Sequence, residues 1–158
     1  MNPFNDMRIV PVIAPGTVDN TPAVTGVVDT FGFDYCVLDL ILGAGSKTED
    51  ITELKIQEAD SLSNGSLPDG EGTTDVLVGG AAEGPGVDFV WPIIGDAGVD
   101  HQILRFRLNI KGRRKRYLGV TVKTATERTV CCIAILCESL HDLPTAADQG
   151  VTAMYEVR

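Results

Sequence analysis

The strongest pattern in this chain is alternation of apolar and polar residues in short blocks separated by turn residues. Phe33 to Leu42 reads FGFDYCVLDLIL from Phe31 onward, with Cys36, Leu38, Leu40 and Leu42 on one face and Tyr35, Val37, Asp39 and Ile41 on the other. That period of two is the mark of a strand. Glu53 to Glu58 alternates in the same way, with Leu54 and Ile56 inward; a short helix competes, because Ile51 and Leu54 also fit helical spacing. In Ile103–Ile110, Leu104, Phe106 and Leu108 oppose Arg105 and Arg107, and Arg116 to Lys123 forms a similar block. The turn KGRRK between these two predicts a hairpin. Thr129 to Cys137 is a further strand. Thr25–Asp29, Asp75–Val78 and the end of the chain are weaker candidates, and Thr145–Gln149 could hold one helical turn.

Met7 to Ile13 is apolar but contains Pro11, which removes a ladder donor, so it predicts an edge strand or an extended arm. Eight or so short strands with turns between them predict a β-sandwich or barrel. No repeat or long linker divides the chain, and its 158 residues are one domain's worth. The expected division is an arm at 1–14, a sandwich at 15–143 and a C-terminal tail at 144–158 that packs on the sandwich or on a neighbour.

Composition supports this picture and narrows it. Seventeen Gly and eight Pro disfavour long helices. The longest apolar run, Val130 to Cys137, is too short for a membrane-spanning helix, and the N-terminus lacks the basic start and apolar stretch of a secretory signal. The four cysteines, at 36, 131, 132 and 137, have no paired spacing and predict buried free thiols in a reducing compartment.

Charge changes the functional expectation. The net charge of −9 conceals twelve acids and one base between Glu49 and Asp100, and nine bases with one acid between His101 and Arg128. Lys111, Arg113, Arg114, Lys115 and Arg116 form the densest point. They predict an exposed tip that contacts an acidic protein surface or a neighbouring copy; the plainer alternative is a solvated turn. Nucleic acid is disfavoured because the basic loop carries no interleaved aromatics and the rest of the chain repels phosphate.

Catalytic and metal motifs fail on inspection. In Leu42–Thr48 the lysine follows serine rather than glycine, so the phosphate-loop pattern breaks. Asp60, Asn64, Gly65 and Glu71 match positions of a calcium loop, but Leu62 and Pro68 occupy ligand positions and the flanks are not helical. His101 and His141 lack a ligand set with zinc spacing, and no GxSxG elbow occurs. No enzyme activity, cofactor or metal is expected.

The segment LKIQEADSLSNGS, Leu54 to Ser66, followed by RYLGVTVKTATERTVCCIAIL, Arg116 to Leu136, resembles small head proteins of tailed bacteriophages. The matching residues are Gln57, Glu58 and Asp60, then Arg116, Tyr117, Leu118, Gly119, Val120 and Thr121; the KGRRK turn and the tail after Leu140 depart from the pattern. The resemblance implies a jelly-roll-like antiparallel β-sandwich that decorates or cements an assembled capsid. Its partner would be the major capsid protein, and its place the virion surface after synthesis in the bacterial host cytoplasm. The alternatives are a head–tail or tail component, or a soluble sandwich that binds carbohydrate or nucleic acid.

Two further contact surfaces are expected. Ile9, Val10, Val12 and Ile13 would lie along a neighbour as part of the arm. Val130 to Cys137 has two apolar faces, and only one can fill the space between sheets. The set Val130, Cys132, Ala134 and Leu136 is the expected outer face, covered by a homo-oligomer (dimer or trimer) or by the tail through Val151, Met154 and Tyr155.

Overall fold

The computed structural model describes residues 7–18, 23–43, 51–68, 74–81, 102–111, 115–124, 127–137 and 153–157. Those residues form nine strands: β1 (Met7–Val18), β2 (Val24–Asp29), β3 (Tyr35–Leu42), β4 (Ile51–Ala59), β5 (Thr74–Ala81), β6 (Gln102–Asn109), β7 (Tyr117–Thr124), β8 (Arg128–Cys137) and β9 (Ala153–Val157). They build two sheets, one in the order β1-β8-β3-β6-β9 and one in the order β2-β7-β4-β5. All pairings are antiparallel except β6 with β9, which is parallel. The protein is an all-β sandwich, as its alternation predicts. Among the described residues no helix is long and apolar enough to cross a membrane.

The inner faces meet in one core. Cys36, Leu38, Leu40 and Leu42 of β3, Leu104, Phe106 and Leu108 of β6, and Val130, Cys132, Ala134 and Leu136 of β8 face Leu54, Ile56, Leu118, Val120 and Val122 of the other sheet. Every member of the β8 set is 0% exposed, so the expectation that these four form an outer, partner-covered face is wrong. Cys131, Ile133 and Ile135 face outward and are half-buried. The reason lies in β3. Asp39 cannot sit between the sheets, so it turns outward and forms a two-pronged ion pair with Arg105 of β6, 2.6 Å at each prong. The β3–β8 register then places Ile133 beside Asp39 on the outer face, and Ala134 beside Leu38 on the inner one.

The expected hairpin between β6 and β7 does not form. β6 lies in the five-stranded sheet between β3 and β9, while β7 lies in the other sheet between β2 and β4. The basic segment is a crossover between layers. Strands that pair and strands that face each other across a core carry the same alternation, and a few residues suffice to span the ~10 Å between packed sheets.

Residues 7–14 belong to the chain's own sheet. β1 pairs with β8 from Met7↔Cys137 to Val18↔Arg128, with register shifts between Pro11 and Ile13 and between Ile13 and Gly16. The division at residue 14 therefore falls inside a strand. Pro11 is tolerated because β1 is an edge strand, the first of the two readings of this segment. Past the first shift β1 leans over the second sheet: a Cβ on Gly26 of β2 would lie 2.0 Å from the Val12 carbonyl oxygen, and Thr124 Oγ1 of β7 donates to the Val18 carbonyl at 3.0 Å. β1 thus closes one open side of the sandwich.

The tail also enters the fold. β9 extends the far edge through Arg105↔Met154 and Phe106↔Tyr155, with β3 and β6 between it and β8. It lengthens the sheet rather than covering the β8 face. Val151, the segment Thr145–Gln149, Trp91 and both histidines lie outside the described residues.

Candidate interaction surface

One end of the sandwich gathers the turn at 30–34, the end of β6 and the start of β7. At Asp29 β2 ends opposite Tyr117. The chain then reverses in a turn closed by the Phe33 N–H donating to the Thr30 carbonyl at 3.1 Å. Gly32 has φ +88°, the left-handed value that a type II turn requires at its third residue. Phe31 occupies the apex and is 75% exposed, more than Met7 or Ile9, the other exposed large apolar residues among those described.

This turn is fastened from both sides. Thr30 donates its N–H, at 3.0 Å, and its Oγ1, at 2.6 Å, to the Arg116 carbonyl. The Phe31 N–H donates to Asp29 Oδ1 at 3.0 Å. Arg116 returns the contact, donating Nε and Nη2 to Asp29 Oδ1 and Oδ2 at 2.9 and 2.7 Å. Its guanidinium carbon lies 5.0 Å from the ring centroids of both Phe31 and Tyr117, within cation–π range. The Arg116 hydrogen bonds hold the Asp29 carboxyl below the usual aspartate value, helped by the Phe31 N–H and by the charges of Arg116 and Arg8, against a smaller opposing effect of burial.

The sequence-predicted basic cluster is divided by this geometry. Lys111 pairs with Asp34, Nζ to Oδ2 at 2.9 Å, and Arg116 pairs with Asp29, so these cations meet acids of their own chain. Lys115 is half-buried, and its N–H donates at 3.2 Å to Oε2 of the buried Glu58. Arg113 and Arg114 lie outside the described residues. Of the expected arm contacts, Ile9 is 66% exposed, Val10 and Val12 pack against the core, and Ile13 is part of it. Only Ile9 is open to a partner.

Phe31, Asp29 and Arg8 were absent from the expected contact set. The signal for Asp29 and Phe31 in sequence is the pentapeptide Asp29-Thr30-Phe31-Gly32-Phe33, a turn composition that encloses a large aromatic; Arg8 carries none. An aromatic inside a turn, followed by Gly, is a residue that the fold holds away from the core.

Among the described residues no group of three or more His, Cys, Asp or Glu could hold a metal ion. Asn64 and Gly65 form a two-residue turn, φ 51° and 79°, closed by reciprocal backbone bonds between Ser63 and Ser66. Two successive positive φ values make this a hairpin turn of type I′. Glu71, the remaining acid of the calcium-loop pattern, lies outside the described residues. The thiols are poor nucleophiles at neutral pH: burial pushes Cys36 up to about 12 and raises Cys131, Cys132 and Cys137 as well. The chain matches no protein-family model, no curated protein and no solved structure.

Proposed function

We propose that this chain is a structural virion protein that binds the outside of an assembled phage capsid and decorates or cements it. The observation that carries the reading is the end of the sandwich where Phe31 stands exposed on a fastened turn with Arg116 stacked against it. Aromatic and arginine side chains supply much of the energy of protein interfaces. The two segments that resemble phage head proteins also meet in space. Gln57, Glu58 and Ala59 of β4 pair with Gly119, Leu118 and Tyr117 of β7.

The sandwich is, in this reading, a jelly roll. The strand orders 1-8-3-6 and 2-7-4-5 of the first eight strands support it, since that interleaving is the eight-stranded, two-Greek-key arrangement. The partner is the major capsid protein. Self-association into a dimer or trimer belongs to the same reading, but the core residues Val130, Cys132, Ala134 and Leu136 take no part in it.

Co-sedimentation with purified empty capsids tests this function. The protein should pellet with shells in many copies per particle and saturate. Failure to pellet would remove the reading, and saturation at a single ring of copies would favour a head–tail connector.

A further inference from the structure

The Phe31 turn has the build of a pre-formed anchor. An exposed phenylalanine on a loose loop would lose conformational freedom on binding, which weakens association. Here the turn is already held by two bonds from Thr30, one from the Phe31 N–H, and a glycine at the left-handed position. Arg116 is itself held by Asp29 and lies against the Phe31 ring.

The charges around the ring specify the partner further. Arg116 and Lys111 are each matched by an aspartate, and Arg8 adds its field to that of Arg116 at Asp29. The immediate rim therefore carries two arginines around one carboxylate, a small positive excess rather than an open basic patch. A polyphosphate strand would meet the carboxylates of Asp29 and Asp34 beside those cations. A protein partner has only to offer a ring-sized apolar recess with a few carbonyl or carboxylate oxygens at its edge.

We infer that Phe31 is the principal anchor of this protein on its protein partner, inserting into an apolar pocket whose edge is acidic, with Arg116 and Arg8 facing that edge. This rests on the capsid-binding reading and names the residue and the pocket chemistry that the reading leaves open. One consequence sets it apart from attachment by the basic cluster. Because Arg116 and Lys111 are already paired and the anchor itself is apolar, binding through Phe31 depends less on salt than attachment by a basic cluster, which is screened strongly.

The experiment compares wild type, Phe31→Ala and Phe31→Trp in three measurements: thermal unfolding, co-sedimentation with empty capsids at low and moderate salt, and binding to a fluorescent oligothymidylate. The expected result is an unchanged unfolding temperature for both variants. Phe31→Ala should lose at least tenfold in capsid affinity, Phe31→Trp should recover most of that loss, and salt should have a shallow effect throughout. If wild type binds capsids and Phe31→Ala binds equally well, the anchor is wrong and the capsid reading survives. If wild type does not bind capsids, the reading falls and the inference with it. Oligothymidylate binding that requires Phe31 would replace the protein pocket with stacked bases and overturn the inference by that route.

Discussion

Among the described residues Gly26 and Gly119 are the two glycines whose added Cβ would come closer than 3.0 Å to a neighbour, and they look equivalent in sequence, since each interrupts an apolar strand. Their surroundings differ in kind. At Gly26 a Cβ would meet the backbone of Val12, 2.0 Å from its oxygen and 2.6 Å from its carbon, where β1 crosses to close the side of the sandwich. At Gly119 a Cβ would meet the Leu67 side chain, 2.2 Å from Cδ1, where the loop after β4 lies over the outer face of β7. Backbone held in a sheet cannot retreat without breaking its ladder, while the end of a leucine can turn away. The first contact is architecture and the second is a lid. The same contrast separates the core from the Phe31 end, where atoms can be removed without disturbing what lies beneath.

The largest effect should come from placing a charge on the rigid side of this divide. Ala134 is 0% exposed and sits beside Leu38 between the sheets. Ala134→Glu would bury an unpaired carboxylate and should cost more than about 4 kcal/mol. The variant should lack a cooperative melting transition by circular dichroism. A folded variant with altered oligomeric state would instead return Ala134 to an outer face.

The glycine pair tests the contrast directly. Gly26→Ala should destabilise by about 3 kcal/mol or more, and Gly119→Ala by about 1 kcal/mol, since overpacking costs more where the neighbour cannot move. Chemical denaturation of both variants measures the difference. Equal losses would show that Val12 can yield as easily as Leu67, and that β1 does not close the edge firmly.

The smallest effect concerns acid at the Phe31 turn. The carboxyl of Asp29 is held low, so what it contributes is present above the usual aspartate range and is lost as pH falls through its folded value. The pair with Arg116 is partly exposed, so global stability should change little. The readout is local: the Phe31 amide resonance should titrate below the ordinary aspartate value, and this step should vanish in Asp29→Asn. A Phe31 amide insensitive to acid would mean that the turn is not fastened by Asp29.

Much of the fold was legible because burial imposes a period of two wherever a strand has one wet face. β3, β4 and β6 follow that period: Asp39 and the pair Arg105 and Arg107 mark the outer faces of β3 and β6, and β4 is a strand rather than the competing helix. The candidate surface was legible only in part. The basic residues drew attention to 111–116, but Asp29, Asp34 and Phe31 lie some eighty positions earlier, and nothing local reveals that they share an end of the sandwich with Lys111 and Arg116. β8 could not be oriented from its own residues, because both of its faces are apolar.

The amino-acid sequence by itself determined that this chain builds short, half-buried strands with turns between them, because alternation and the placing of glycine and proline are local constraints on the backbone. Only the tertiary structure decided which strands pair and which face each other, since both arrangements satisfy the same alternation. That choice made the basic segment a crossover instead of a hairpin. It sent Ala134 inward through the register with Leu38 of β3, and it brought Arg116 onto Asp29 and Phe31. Register and layer are long-range properties, settled by which strands' apolar faces meet in the core and not by the residues of any one strand.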